Sequence, residues 1–203
     1  MKHLELINTF PELKTDNMVS IGNKEKKTNL SHFNKEEIPN AKGLAFGIVV
    51  SEWNSNITNN LFKGTYDTLI ECGVLPNHIR KYNVPGSYEL VFGAKIAARI
   101  IDPGTLNGPD AIICLGSIIE GETRHFDFVC NAVAIGIKDL NIRLDIPVIF
   151  GVLTDSNMEQ AINRSGGKYG NKGTEAAITA IKMAVLNKKS RDDNFKEMTD
   201  NLL

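Results

Sequence analysis

From Leu44 onward, short blocks of unbroken apolar residues alternate with longer stretches whose apolar positions recur every three or four residues. Leu44 to Val50 is the first block, bounded by Gly43 and the polar Ser51-Glu52. Ile79 to Val84 (stopped by Pro85-Gly86), Asp110 to Gly116, and Pro147 to Leu153 follow. Asn56 to Gly73 carries Ile57, Leu61, Leu69 and Ile70 at helical spacing, and Gly73 stands where a helix C′ glycine would. Tyr88 to Ile101 predicts a second helix, ended by Asp102-Pro103-Gly104. Phe126, Val129, Cys130, Val133, Ile137, Leu140 and Leu144 form one apolar face of a long third helix. Asn157 to Ser165 and Thr174 to Lys188 predict two more, divided by the glycine-rich stretch from Gly166 to Gly173.

Alternating strands and helices imply a parallel sheet joined by right-handed crossovers. Nearly all-apolar strands fit a sheet covered on both faces. The expected architecture is therefore α/β, a three-layer α/β/α sandwich around a four-stranded parallel sheet, in one domain spanning residues 44–188. Residues 1–43 are rich in Lys, Asn and Glu with no sustained period, and read as a flexible extension in which Met18 is an alternative start. They hold no uninterrupted apolar segment of the kind that targets a chain for export. Residues 189–203 read as a polar tail.

Composition narrows the function. The formal net charge of the 203 residues is -1, and no basic stripe with interleaved aromatics occurs, which argues against nucleic acid and anionic membrane as partners. The apolar runs fall short of the roughly 18 residues a membrane span needs. Cys72, Cys114 and Cys130 are odd in number, lack CxxC spacing and sit in apolar patterns, so neither a disulfide framework nor a zinc site is expected. A reducing, cytoplasmic setting fits. Of the histidines, His3, His32 and His78 are expected at the surface, whereas His125 opens the third helix.

In a parallel sheet the strand ends collect along one edge, where α/β proteins bind ligands. The residues following the strands are Glu52-Trp53-Asn54, Gly86-Ser87-Tyr88-Glu89, Ile118 to His125, and Thr154-Asp155. An aromatic ring, carboxylates, a histidine and small-residue backbone thus converge at a place where helix N-termini also offer N–H groups to an anion. The pattern indicates a ligand site without naming the ligand.

Five segments, in order, resemble the lumazine synthase family: Phe46 to Asn54, Val84 to Glu89, Gly121 to Asp127, Pro147 to Thr154, and Gly166 to Gly173. The resemblance runs from about Phe46 to Leu186 and implies a flavodoxin-like fold. It also implies an activity: condensation of 5-amino-6-(D-ribitylamino)uracil with 3,4-dihydroxy-2-butanone 4-phosphate to 6,7-dimethyl-8-ribityllumazine, releasing phosphate and water, with no metal or redox cofactor. Residue by residue, it assigns Trp53 to stacking on the pyrimidine, with Asn54 beside it. Ser87, Tyr88, Glu89, Ile118, Ile119, Phe150 and Lys172 complete the ribitylaminouracil side, with Phe150 contributed from an adjacent subunit. Gly121, Glu122, Thr123 and Arg164 hold the phosphorylated ketone, and His125 is the general acid/base.

The resemblance further implies sites between neighbours in a homopentamer, leaves a cage of twelve pentamers open, and offers riboflavin synthase as the partner such a cage would enclose. The sequence departs from the family pattern at Glu122, where Ala or Ser is common, and at Glu120, where Lys, Arg or Gln is common. Negative charge beside a phosphate site is unfavourable unless these side chains point outward. The segment Pro103 to Pro109 lengthens a turn expected at the edge away from the site. A non-catalytic flavin- or lumazine-binding protein and a cage-forming shell protein are the alternatives. Retention of His125 and Arg164 favours catalysis.

Overall fold

The computed structural model describes residues 29–100 and 108–200. Four parallel strands form the sheet: β1 (Phe46–Ser51), β2 (Ile79–Val84), β3 (Ala111–Ile119) and β4 (Val148–Asp155), in spatial order β2-β1-β3-β4. Helices α1 (Ser55–Glu71), α2 (Leu90–Ala97), α3 (His125–Arg143), α4 (Met158–Arg164) and α5 (Lys172–Asp200) fill the connections, and a small antiparallel hairpin, β5 (Ser165–Gly167) and β6 (Gly170–Asn171), joins α4 to α5.

The strand pleat sorts the core into two layers. Phe46, Ile48, Val50, Ile113 and Leu115 face α1 and α5, where Leu61, Leu69, Ala177 and Ile181 meet them. Val49, Ile112 and Cys114 face the other way, against Leu90, Ala94, Val133 and Ile137 of α2 and α3. Each of these side chains is essentially withdrawn from water, and such burial stabilises by roughly 1.5–3 kcal/mol per large aliphatic or aromatic residue. The three-layer sandwich expected from the apolar pattern is thus present.

Several boundaries differ. β3 continues beyond Gly116 through Ile118 and Ile119 because β4 supplies ladder partners as far as Ile119↔Asp155. The same pairing draws Thr154 and Asp155 into β4. Helix α2 begins at Leu90, with Glu89 as its N-cap residue, and not at Tyr88. Helix α5 starts at Lys172 and runs past Lys188 to Asp200, so most of the polar tail is helical. The glycine-rich stretch between the last two helices is a hairpin turned at Lys168-Tyr169, with Gly166 and Gly170 at positive φ in its two short strands.

Part of the amino-terminal extension is docked. Ala41 is fully buried and its N–H donates to the Cys72 carbonyl at 3.2 Å, while Ile38 packs on the α1/α5 core. Residues 1–28, and the lengthened turn as far as residue 107, lie outside the described residues. His32 is exposed as expected, but His78 is half-buried and its Nδ1 lies 3.3 Å from the Leu44 carbonyl, a structural contact. Cys72 and Cys114 are buried and Cys130 half-buried; burial pushes all three thiols up, Cys114 to about 12, as small protonated hydrophobes.

Candidate active site

From β1 the sheet grows outward in both directions, to β2 on one side and to β3 and β4 on the other. The crevice beyond the carboxyl ends of β1 and β3 is therefore the switch point where open α/β sheets bind ligands. Asn54 bridges it: its Nδ2 donates to the Ser117 carbonyl at 3.0 Å. To reach, its backbone adopts φ 56, a region that asparagine tolerates better than most residues. The preceding Trp53 is left 72% exposed at the mouth of the crevice.

Two backbone bonds fasten this loop to the next one. Glu52 N–H donates to the Val84 carbonyl at 2.9 Å, and Trp53 N–H to the Pro85 carbonyl at 3.2 Å. Gly86 then lies between ring and carboxylate: a Cβ there would sit 2.9 Å from Glu89 Oε2 and 3.8 Å from Trp53 Cδ1. Ser87 is buried against Gly116, and its hydroxyl has no hydrogen-bond partner among the described residues. Tyr88 is exposed beside it. Trp53, Asn54, Ser87 and Glu89 thus belong to one assembled surface.

At the end of β3, half-buried Ile118 and Ile119 lead into the exposed loop Glu120 to Arg124 and then His125, the first residue of α3. Glu120 N–H donates to the Asp155 carbonyl at 2.9 Å, pinning the loop to the end of β4. Arg124 provides no side-chain cap, and Thr123 Oγ1 accepts from the His125 N–H only at 3.4 Å, so the helix start remains open to an anion. Glu120 and Glu122 are exposed, which fits carboxylates turned outward.

A second group follows β4. Arg164 closes α4 and Lys172 opens α5, both partly buried. Both hold Glu175, which sequence reading left unassigned: Arg164 Nη2 lies 2.7 Å from Oε1 and Lys172 Nζ 3.1 Å from Oε2. Arg164 Nη1 also donates to the Tyr169 carbonyl at 2.9 Å. The available signal was the Lys172-to-Glu175 spacing of one helical turn; the Arg164 partnership needs the hairpin to fold back. Burial alone would push the Glu175 carboxyl up, but hydrogen bonds and charge from Arg164 and Lys172 outweigh it and hold it below its ordinary 4.5. Asp155, by contrast, is raised by burial against the opposing pull of Arg164, and its Oδ2 has no hydrogen-bond partner among the described residues. Phe150 lies on edge strand β4, about one-third exposed.

A depressed carboxylate stabilises the fold above its unfolded pKa, and that contribution disappears as pH falls through the folded value. Glu175→Gln is accordingly expected to cost most stability near pH 7, the gap to wild type closing on acidification below 4.5. Thermal unfolding of both proteins across that range measures it; a gap constant with pH would mean that the carboxylate charge contributes nothing.

Along the sheet, the Trp53–Glu89 surface lies at the β1/β2 end, His125 follows the neighbouring β3, and Arg164 with Lys172 lies beyond β4. Among the described residues, no cluster of three His, Cys, Asp or Glu could hold a metal ion, and no helix is long and apolar enough to cross a membrane.

Fold and site define a parallel α/β sandwich with an aromatic platform and an imidazole at its carboxyl edge. The profile of the 6,7-dimethyl-8-ribityllumazine synthase family matches residues 43–188. The chain belongs to that family. It is 57% identical over 163 residues to the 6,7-dimethyl-8-ribityllumazine synthase of Christiangramia forsetii, covering 80% of this chain and 94% of that protein. The Flavobacterium johnsoniae protein of the same name is 56% identical over 162 residues (80% and 82% covered), and the Parabacteroides distasonis one 50% over 155 residues (76% and 93%).

Proposed function

We propose that the chain is a transferase of riboflavin biosynthesis that condenses 5-amino-6-(D-ribitylamino)uracil with 3,4-dihydroxy-2-butanone 4-phosphate to 6,7-dimethyl-8-ribityllumazine, releasing phosphate and water. Family membership supports the reaction, and the exposed indole of Trp53 beside Glu89 at the switch point is the observation that carries the site. The indole face stacks on the pyrimidine, Asn54 and Ser87 orient its polar edge, and Glu89 accepts from ribityl hydroxyls. Ile118 and Ile119 flank the ring, with Tyr88 at the rim. Gly121, Glu122 and Thr123 lead the ketone phosphate to the open start of α3, where backbone N–H groups meet the anion.

The 5-amino group adds to the ketone and the carbinolamine loses water to form the imine; phosphate is eliminated, and after tautomerisation the ribitylamino nitrogen closes the ring on the remaining carbonyl with loss of a second water. His125 moves the protons. Arg164 receives the phosphate through planar paired donors. The two groups of residues lie toward opposite ends of one sheet, which supports a site completed by a neighbouring copy that brings Phe150, Arg164 and Lys172. We assign a cytoplasmic homopentamer as the unit; a sixty-subunit cage is left open, with riboflavin synthase as the partner such a cage would enclose. Exposed Phe92, Phe128, Ile135 and Ile142 on α2 and α3, beside a groove of about 620 Å³ lined by Phe92 and Gly136, supply the apolar face that such assembly covers.

Purified protein mixed with both substrates should form the lumazine chromophore with one phosphate released per product. A rate equal to the spontaneous condensation would overturn the assignment. His125→Ala should slow turnover only about tenfold, because holding two reactants together supplies much of the acceleration. Single-turnover kinetics check this, and an unchanged rate removes His125 from the proton-transfer role.

A further inference from the structure

We propose that the amino-terminal strap, through Leu30 and Ser31, positions Arg164 for the phosphorylated substrate, with Ser31 as the positioning residue. The inference rests on the reading of Arg164 as the phosphate-binding arginine. Arg164 is held by two oxygens, the Tyr169 carbonyl and Glu175 Oε1. The strap sits on the same two. Leu30 N–H donates to the Tyr169 carbonyl at 3.1 Å, and Ser31 Oγ lies 3.0 Å from Glu175 Oε1.

Ser31 is itself oriented, because Asn171 N–H donates to its hydroxyl at 2.6 Å. The single hydroxyl proton has two acceptors in reach, Glu175 Oε1 and the Asn171 carbonyl at 2.9 Å. A carboxylate is the stronger acceptor. Its Oε1 thus faces a hydroxyl and a guanidinium at once, which fixes the carboxylate plane and the direction of the remaining guanidinium N–H groups. Lys172 on Oε2 completes the hold.

The seat is built for this contact. Gly170 has φ +88, and any Cβ there would run into Asn29 and Ser31, at 2.5 Å from the Ser31 hydroxyl. Toward β1 the strap is fastened again, by the short 3₁₀ turn Lys35–Glu37 capped by Asn34 and by buried Ala41 bonded to Cys72. Asn29 to Lys42 precede the segment that the family profile matches, so this support is added to the family domain from outside it.

The test compares steady-state kinetics of Ser31→Ala, Ser31→Thr and Arg164→Ala with wild type. Loss of one hydrogen bond should raise the KM for the ketone phosphate about three- to tenfold in Ser31→Ala. The KM for the pyrimidine should stay unchanged, and Ser31→Thr should restore the wild-type value. Inhibition by inorganic phosphate should weaken in parallel. A Ser31→Ala enzyme with unaltered ketone-phosphate KM, beside an Arg164→Ala enzyme in which it rises, overturns the strap's role alone. Both KM values moving together in Ser31→Ala overturns it too, since that is general loosening. An Arg164→Ala enzyme with unaltered ketone-phosphate KM removes the underlying reading and the strap's role with it.

Discussion

Arg164→Ala should raise the KM for the ketone phosphate about ten- to hundredfold, since charge-assisted hydrogen bonds contribute roughly 1.5–3 kcal/mol and 1.4 kcal/mol is a factor of ten. The KM for the ribitylaminouracil should hardly change. Arg164→Lys should recover only part of the loss, because an ammonium keeps the charge without the planar fork. Initial-rate kinetics with each substrate varied in turn separate the two constants. Equal KM values in wild type and Arg164→Ala would leave the guanidinium with its observed structural partners, Glu175 and Tyr169, as its whole role.

The second large effect is on stability. A Cβ at Gly173, in the first turn of α5, would overlap the Leu61 carbonyl of α1 and come within 2.7 Å of Thr65 Oγ1. The helices touch there through backbone: Thr65 Oγ1 donates within reach of both the Leu61 and Gly173 carbonyls, at 2.9 and 3.0 Å. Overpacking typically costs about 1–3 kcal/mol and more against backbone, whereas alanine returns about 1 kcal/mol of helix propensity. A net loss of about 2 kcal/mol in Gly173→Ala should therefore lower the thermal midpoint by roughly 4–8 °C in a chain of this size. Gly121→Ala, with none of the described residues within 4 Å of the added carbon, should leave it in place. Calorimetry distinguishes them, and an unshifted Gly173→Ala midpoint would mean that α1 and α5 have room to part.

Much of the sandwich was legible because both faces of the sheet are covered. That requirement makes β1, β3 and β4 read as apolar runs, and the single buried stripe of α3 as a clean helical period. Boundaries set by a partner were not legible. Nothing local in Ile118-Ile119 announces strand, since β4 decides it through pairing. The helical character of Lys189 to Asp200 was hidden by polar composition, which resembles a loose tail when no apolar period marks a face.

The site divides in the same way. Trp53, Glu89 and His125 follow directly from strand ends, so position along the chain reveals them. Glu175 lies eleven residues from Arg164 and meets it only because the β5–β6 hairpin turns the chain back. Asn29 to Ser31 carried no signal at all, because side-chain-to-backbone bonds made across 140 residues leave no period to read.

The placement of the indole toward one flank of the sheet and the guanidinium beyond the other has a consequence for stoichiometry. On the proposed reading each copy lends its arginine to one neighbour and borrows one from another, so an open chain of copies has one fewer working centre than members. Only a closed ring leaves none idle. Diluting the protein until rings open should therefore reduce turnover per chain while circular dichroism still reports intact secondary structure.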